Sequence, residues 1–477
     1  MSRPDTFGLV TLAHALPAEL VERTEPGSGG WRLKRRPADP TADFAMATGR
    51  RGGAWLALHD MLSRDAQVAG AWLYGLFAPS VDVAEYYLGQ CRETLLPLMH
   101  DGGPSPQFHQ PWQGAYRRVN HRYAVAAARL AAPEATVWLH DYHLMLVAGY
   151  LRRPRPDLRI GVQLQVPFPP VERFLRLPMR DKVMRGLLGA DLLGLPDARS
   201  AANFLAAAHE LTGLRRGDRL LLADGRMVVA TAFPPSVDAA RFARLAADPA
   251  VRDRVRELRE SLGDPETVLL SIGALDEHEG VEQRLDAYAQ LIAEGRVDPL
   301  TTVLVHVAAA GSEAAHPAGV QERVDRQVAQ INGMFSRLGH PVVHYVRHEL
   351  DPVELTSLYL AADVLLALPS RQGATLAAKE YAATRLDDTG RIVLSEFSGT
   401  AADLPEATVV NPEDLVEVKD AICAAIELRA KPDDGMAAMR SRIHAADAAK
   451  STESFLDTVD VVTAYRYANR GQAACVK

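Results

Sequence analysis

The chain has 477 residues, 48% hydrophobic and 24% charged, more than one hydrophobic core usually supports, so two domains of ordinary globular composition are expected. Its formal net charge of −7 excludes nucleic-acid binding through bulk charge. The three cysteines, Cys91, Cys423 and Cys475, form neither a disulfide framework nor a metal-ligand spacing, Met1–Leu16 does not read as a signal peptide, and no apolar run approaches the ~20 residues that span a bilayer, so a cytoplasmic protein without metal or membrane partner is expected.

In chain order, short β-type runs alternate with longer helical ones, the pattern of βαβ units and a parallel sheet. In the first half the expected strands are Phe7–Leu12, Ala71–Leu76, Thr136–Leu139, Arg159–Val166, Leu192–Leu195 and Met227–Ala230. Helices are expected over Trp55–Leu62, Asp82–Leu98 and Ala198–Leu211. The basic run Arg32, Lys34, Arg35 and Arg36 reads as a solvated loop. Leu221–Met227 reads as a hairpin turn.

Phe233-Pro234-Pro235-Ser236-Val237-Asp238 interrupts any regular element and marks a boundary, giving domains 1–235 and 236–453. The second half repeats the rhythm. Its expected strands are Thr267–Ile272, Thr302–Val307, Val342–Tyr345, Val364–Ala367, Ile392–Ser395 and Thr408–Val410. Its expected helices are Val281–Ala293, Val320–Leu338, Pro352–Ala361, Ala377–Thr384 and Leu415–Glu427, followed by a helical tail within 454–477.

The most informative stretch is Val137-Trp138-Leu139-His140-Asp141-Tyr142-His143-Leu144, an apolar strand ending in a carboxylate between two imidazoles. A second apolar strand follows and ends in Pro167-Phe168-Pro169-Pro170. Ligands of open parallel sheets sit at the carboxyl ends of strands, so this segment points to a site.

These two blocks, with Arg117-Arg118-Val119-Asn120, Asp191–Leu195, Gln330-Ile331-Asn332-Gly333, Arg371-Gln372-Gly373-Ala374-Thr375-Leu376-Ala377-Ala378-Lys379-Glu380-Tyr381, Leu394–Gly399 and Val410-Asn411-Pro412, resemble the trehalose-6-phosphate synthase family, glycosyltransferase family 20. The resemblance implies an α/β fold of GT-B type, two facing Rossmann-like domains with a cleft between them and the tail crossing back onto the first. It implies retaining glucosyl transfer from a nucleotide diphosphate to glucose 6-phosphate. UDP- or GDP-sugar is then a possible substrate, with no cofactor and no metal.

On the acceptor side the resemblance puts Asp141, Tyr86, Tyr87 and His140; on the donor side Gly52, Gly53, Gly373, Thr375, Leu376 and Glu380. The amides at the start of the helix near Leu376 suit an anion. Other positions depart from the family pattern. Gln165 replaces a histidine, Ala274 an arginine, Glu279 a lysine, Gln372 an aspartate and Thr375 an asparagine. Ala15 and Ser312 fall where phosphate-binding arginines are expected, and Leu96 where a tryptophan is.

The leaving diphosphate gains negative charge, and losing one preorganised donor there costs ~3 kcal/mol. A carboxylate ~5 Å from that charge adds about 3 kcal/mol of repulsion at an effective dielectric of 20. The loop Asp276-Glu277-His278-Glu279 reads as solvated rather than as a metal site.

Three readings follow. The first is a degenerate, non-catalytic or regulatory homologue that forms a homo-oligomer or pairs with an active family member. The second is a repurposed retaining (pseudo)glycosyltransferase with another donor or acceptor. The third is a genuine trehalose-6-phosphate synthase, with sugar phosphate and nucleotide sugar as its small-molecule partners. The substitutions favour the first.

Overall fold

Apolar runs bounded by glycine and proline become the strands of two parallel sheets, in a computed structural model that describes residues 4–22, 31–35, 41–59, 66–100, 104–214, 219–222, 225–308, 318–348, 350–432 and 434–474. Contacts divide the chain into two units, one of 1–100, 105–234 and 449–477, the other of 101–104 and 235–448.

The first unit contains β1 (Phe7–Leu12), β2 (Ala18–Glu22), β3 (Trp31–Arg35), β4 (Ala54–Leu58), β5 (Gln67–Val68), β6 (Ala71–Leu76), β7 (Ala131–His140), β8 (Arg159–Gln163), β9 (Leu192–Leu195), β10 (Arg219–Leu221) and β11 (Met227–Ala232). Nine of these form one sheet in the order β10-β11-β9-β8-β7-β1-β4-β6-β5, with β2 and β3 as a separate antiparallel pair. Within the sheet only β5 and β10, at the edges, run antiparallel to their neighbours.

The second unit carries β12 (Thr267–Gly273), β13 (Thr302–Ala308), β14 (Val343–Val346), β15 (Val364–Ala367), β16 (Arg391–Ser395) and β17 (Thr408–Val410). They form an all-parallel sheet in the order β14-β13-β12-β15-β16-β17.

Leaving aside the antiparallel edge strands β5 and β10, the strand order in each sheet reverses at one place, between β1 and β7 in the first and between β12 and β15 in the second. Crossover helices leave opposite faces there, so the carboxyl ends of those strands open a crevice.

The long helix Ala448–Ala474 packs on the first sheet through Phe455, Leu456 and Val459, against Trp138 and Leu192. Gly161 and Gly194 make the approach possible, since a Cβ on either would stand 2.8 Å from the Phe455 ring. Among the described residues no helix is long and apolar enough to cross a membrane.

Three local expectations are corrected. Trp55–His59 is not helical; Ala54–Leu58 is the buried strand β4 between β1 and β6, and Asp60, Met61 and Leu62 lie outside the described residues. A short wholly apolar run carries no period that separates a strand from a helix. The basic run lies on β3 as far as Arg35, paired with β2, rather than in a loop; Arg36 lies outside the described residues. The strand after Arg159 stops at Gln163: the Leu164 amide makes the last ladder bond, to the Gly194 carbonyl of β9 at 2.9 Å, and the Gln165 amide turns away to the Asp141 carboxylate at 3.1 Å. The stretch within Asp82–Leu98 is helical but includes a π-helix over Glu85–Leu95.

Candidate active site

At the β1–β7 reversal the chain turns sharply after His140. Asp141 adopts φ 67° and ψ 173°, a region that costs a residue with a side chain about 1–3 kcal/mol. The strain is held from both sides. The Asp141 amide donates to the Gln163 carbonyl at 2.8 Å, and its carboxylate accepts from the Gln165 amide at 3.1 Å.

Behind it, the helix Gln110–Leu130 grips the turn Tyr142–Leu144. Tyr116 Oη donates to the Tyr142 carbonyl at 2.6 Å, and the Asn120 amide donates to the His143 carbonyl at 3.0 Å while accepting from the Leu146 amide at 3.1 Å. Tyr86, fully buried, also donates to the His143 carbonyl at 3.3 Å, so it props the turn.

The side chains gathered at this turn are Asp141, His143, Tyr87 and His14. The His14 and His143 rings stack at 4.0 Å, with Tyr87 5.6 Å from His14. His143 Nδ1 stands 3.9 Å from the Asp141 carboxylate. Burial pushes the Asp141 carboxyl up to about 6. Burial, then the neighbouring His14 and Arg92, hold the His143 imidazole well below its usual range.

His140 is elsewhere. Its ring packs against Phe44 at 4.4 Å and Trp138 at 4.2 Å, neither ring nitrogen has a hydrogen-bond partner, and burial lowers its pKa to about 3. Gln165 lies beside Asp141 with its Nε2 unpartnered.

Ala15 offers a carbonyl that accepts from Trp55 Nε1 at 3.1 Å, and Leu96 packs against the core. Gly52 and Gly53 form the turn into β4, at the amino ends of the strands rather than the carboxyl ends. Gly53 sits so close to β1 that a Cβ would stand 2.7 Å from the Leu9 carbonyl. Ser312 lies outside the described residues.

At the β12–β15 reversal the loop after Gly273 turns back through Asp276–Gly280. It is not solvated as expected, because His278 is buried with its Nε2 2.9 Å from Asp276 Oδ1. Gly280, at φ 66°, passes so close to the Leu368 carbonyl that no side chain fits. Among the described residues no group of three or more His, Cys, Asp or Glu could hold a metal ion.

Glu279 does not stand bare here. Its Oε1 accepts from Gln372 Nε2 at 2.6 Å, Gln372 Oε1 accepts from Thr375 Oγ1 at 2.8 Å, and Thr375 Oγ1 meets Ser398 Oγ at 2.8 Å. Burial lifts the Glu279 carboxyl to about 7, against the pull of Arg284, so much of it is protonated near neutral pH.

Arg284, 1% exposed, donates Nη1 to the Glu279 carbonyl at 2.7 Å, while its Nε and Nη2 have no hydrogen-bond partner. A Cβ on Gly273 would stand 2.7 Å from the Glu279 carboxylate and 3.6 Å from Arg284 Nη2, so both groups reach the end of β12. Burial lowers the Arg284 pKa to about 10, which leaves it charged.

The helix Leu376–Thr384 begins beside this network, behind Gly373. The Thr375 amide is already committed to Thr400 Oγ1 at 2.8 Å. Glu380, its carboxyl raised by burial, accepts from Tyr359 Oη at 2.6 Å.

Arg284, His14 and the Tyr116–Asn120 brace were not found from sequence. Arg284 left a signal: Val281, Arg284, Leu285 and Tyr288 share the buried stripe of one helix, where a guanidinium is out of place unless it has work to do.

A family model described as Glycosyltransferase family 20 matches residues 59–460. The chain is 40% identical to a protein of Mycobacterium sp. (strain JLS) named trehalose-6-phosphate synthase, over 94% of this chain and 95% of that one. It is 38% identical to the protein of the same name from Mycolicibacterium smegmatis, over 95% and 92%. Among solved structures it resembles an E. coli protein bound with UDP-2-fluoro glucose, with TM-score 0.81, 26% identity, and 94% and 98% of the two chains covered.

The reading of a degenerate, non-catalytic homologue is therefore overturned. Relatives at this identity, aligned nearly end to end, carry the name of the synthase. The physical premise fails as well: Glu279 is not an isolated anion, and the buried Arg284 guanidinium, beyond that loop in the chain, stands beside it. Two α/β units with parallel sheets, the GT-B architecture of the solved relatives, and a match along most of its length settle the family: this chain belongs to glycosyltransferase family 20.

Proposed function

We propose that this protein transfers glucose, with retention, from a nucleoside-diphosphate glucose to glucose 6-phosphate, giving trehalose 6-phosphate. The observation that carries the reading is 38–40% identity over 94–95% of the chain to mycobacterial proteins named trehalose-6-phosphate synthase. UDP is the favoured donor nucleotide, because a similar solved protein is bound with UDP-2-fluoro glucose.

In this reading Asp141 orients the acceptor sugar through its hydroxyl groups. The strained turn and the Gln165 amide fix the carboxylate before substrate arrives, which removes reorganisation from the reaction step. Gln165 Nε2, unpartnered in the protein, donates to a substrate oxygen. At the end of β12, Arg284 supplies positive charge for the departing diphosphate, in a chain where Ala274 and Glu279 supply none. Gln372 and Thr375 hold Glu279 aside.

Mass spectrometry of reactions containing glucose 6-phosphate with UDP-glucose or GDP-glucose tests this. A trehalose 6-phosphate product, formed faster with UDP-glucose, is expected. No such product with either donor overturns the reading, and a product formed only from unphosphorylated glucose reassigns the acceptor.

A further inference from the structure

On the outer side of the helix Gln110–Leu130 lies a groove of about 640 Å³, lined by Gly114, Arg117, Arg118, His121, Arg122 and, from the helix Val147–Arg152, Tyr150. The helical period brings the four cationic or titratable side chains onto one face. Gly114 keeps the floor open, since a Cβ there would stand 3.1 Å from Arg118 Nη1. Tyr150 forms a wall, met edge-on by the His121 ring at 5.6 Å and 74°.

The three guanidinium groups are not equivalent. Arg118 is committed, at 2.6 Å to Asp82 and 3.8 Å to Glu85. Among the described residues Arg117 and Arg122 have no hydrogen bond or ion pair; Arg122 acts on Asp82 only through the field of its charge. Two uncommitted guanidinium groups beside an imidazole and a phenol therefore share one concave surface, on a chain whose net charge is −7. Guanidinium forks match phosphate oxygens in pairs, and the aromatic wall suits the flat face of a sugar or base.

We propose that this groove binds a small phosphorylated anion carrying two or more negative charges. Its volume lies within the range of small-molecule sites. A long polyanion is the poorer fit: it draws affinity from an extended row of cations, and here Asp82 and Glu85 close off the cluster at Arg118. The opposite face of the same helix holds the turn after Asp141 through Tyr116 and Asn120, so an anion here would sit one helix away from the candidate acceptor site.

Calorimetry of the full chain with inorganic pyrophosphate, in saturating UDP so that the candidate donor site is filled, tests the proposal. One-to-one binding with a dissociation constant below about 1 mM is expected. The exposed double substitution Arg117→Gln with Arg122→Gln should weaken it about tenfold or more. UDP affinity, measured on the same variant, should stay within about twofold and so report an intact fold. Equal pyrophosphate binding by parent and variant, or none by the parent, overturns the proposal. So does heparin binding that depends on both arginines while pyrophosphate binding does not, since the groove would then serve a polyanion.

Discussion

The two strand-end sites handle their polar groups in opposite ways. Around the end of β7, both ring nitrogens of His140, Gln165 Nε2 and one nitrogen of His143 are buried without hydrogen-bond partners, and the backbone at Asp141 is strained. At the end of β12, Glu279, Gln372, Thr375 and Ser398 satisfy one another in a chain, and Arg284 beside them keeps unspent donors. Buried polar atoms without partners destabilise a fold, and strain does too. The first site, the proposed acceptor side, therefore costs stability, whereas the second tunes charge through a closed network.

The sharpest break in that contrast is expected at Asp141. Asp141→Asn should lower kcat about a hundredfold or more if Asp141 orients the acceptor as proposed, because that fixed charge is then lost. It should also stabilise the protein. The folded carboxyl sits at about 6 against an ordinary 3.8, so the stability it contributes is full below about 3.8 and is lost as the pH rises through 6. At pH 8 the asparagine variant should gain on the order of 2 kcal/mol in urea denaturation. A variant that is both inactive and less stable would show Asp141 to be a structural cap.

Arg284→Gln comes next. Removing charged donors from a phosphate typically costs about 1.5–3 kcal/mol, so UDP affinity should fall about tenfold to a hundredfold. If affinity is unchanged, the cation at the leaving group comes from elsewhere and the second site loses its contrast with the first.

Glu279→Gln is the milder test. With a folded carboxyl at about 7, the residue is protonated below that value and repels diphosphate above it. Parent UDP affinity should therefore fall several-fold between pH 6 and pH 8, by roughly the repulsion of one half-shielded charge. The glutamine variant should lose that fall and keep only the slope of UDP's own phosphate ionisation. A profile that keeps the whole fall would assign the titration to another group.

Much of this was legible in the residues. Strands bounded by glycine and proline, and the His-Asp-Tyr-His block, placed the fold and Asp141. What the chain order hid was spatial. Glu279 read alone is a charge reversal, and only the helix that follows folds Arg284 back onto it while the loop after β15 brings Gln372 within 2.6 Å. His140 and His143 are three residues apart and look alike on paper. The turn at Asp141 sends one into an aromatic packet and the other beside the carboxylate. The π-helical stretch that presents Tyr86 and Tyr87 leaves no mark in a 3.6-residue period.

His140 is where the effect on the reaction should be smallest, and it tests whether packing and chemistry separate along those three residues. Its imidazole has no hydrogen bond to lose, and phenylalanine matches its shape among Phe44, Trp55 and Trp138. The folded pKa is about 3 against an ordinary 6.5, so the stability tied to the neutral ring is complete above about 6.5 and drains away as the pH falls toward 3. His140→Phe removes that liability. At pH 5 it should be more stable than the parent by about 2 kcal/mol, and at pH 8 the two should differ little. Transfer at pH 8 should change less than about twofold, because a ring packed away from Asp141 has no charge to offer the transition state. A large drop in kcat with stability intact would move His140 into the reaction and erase the distinction between the two histidines.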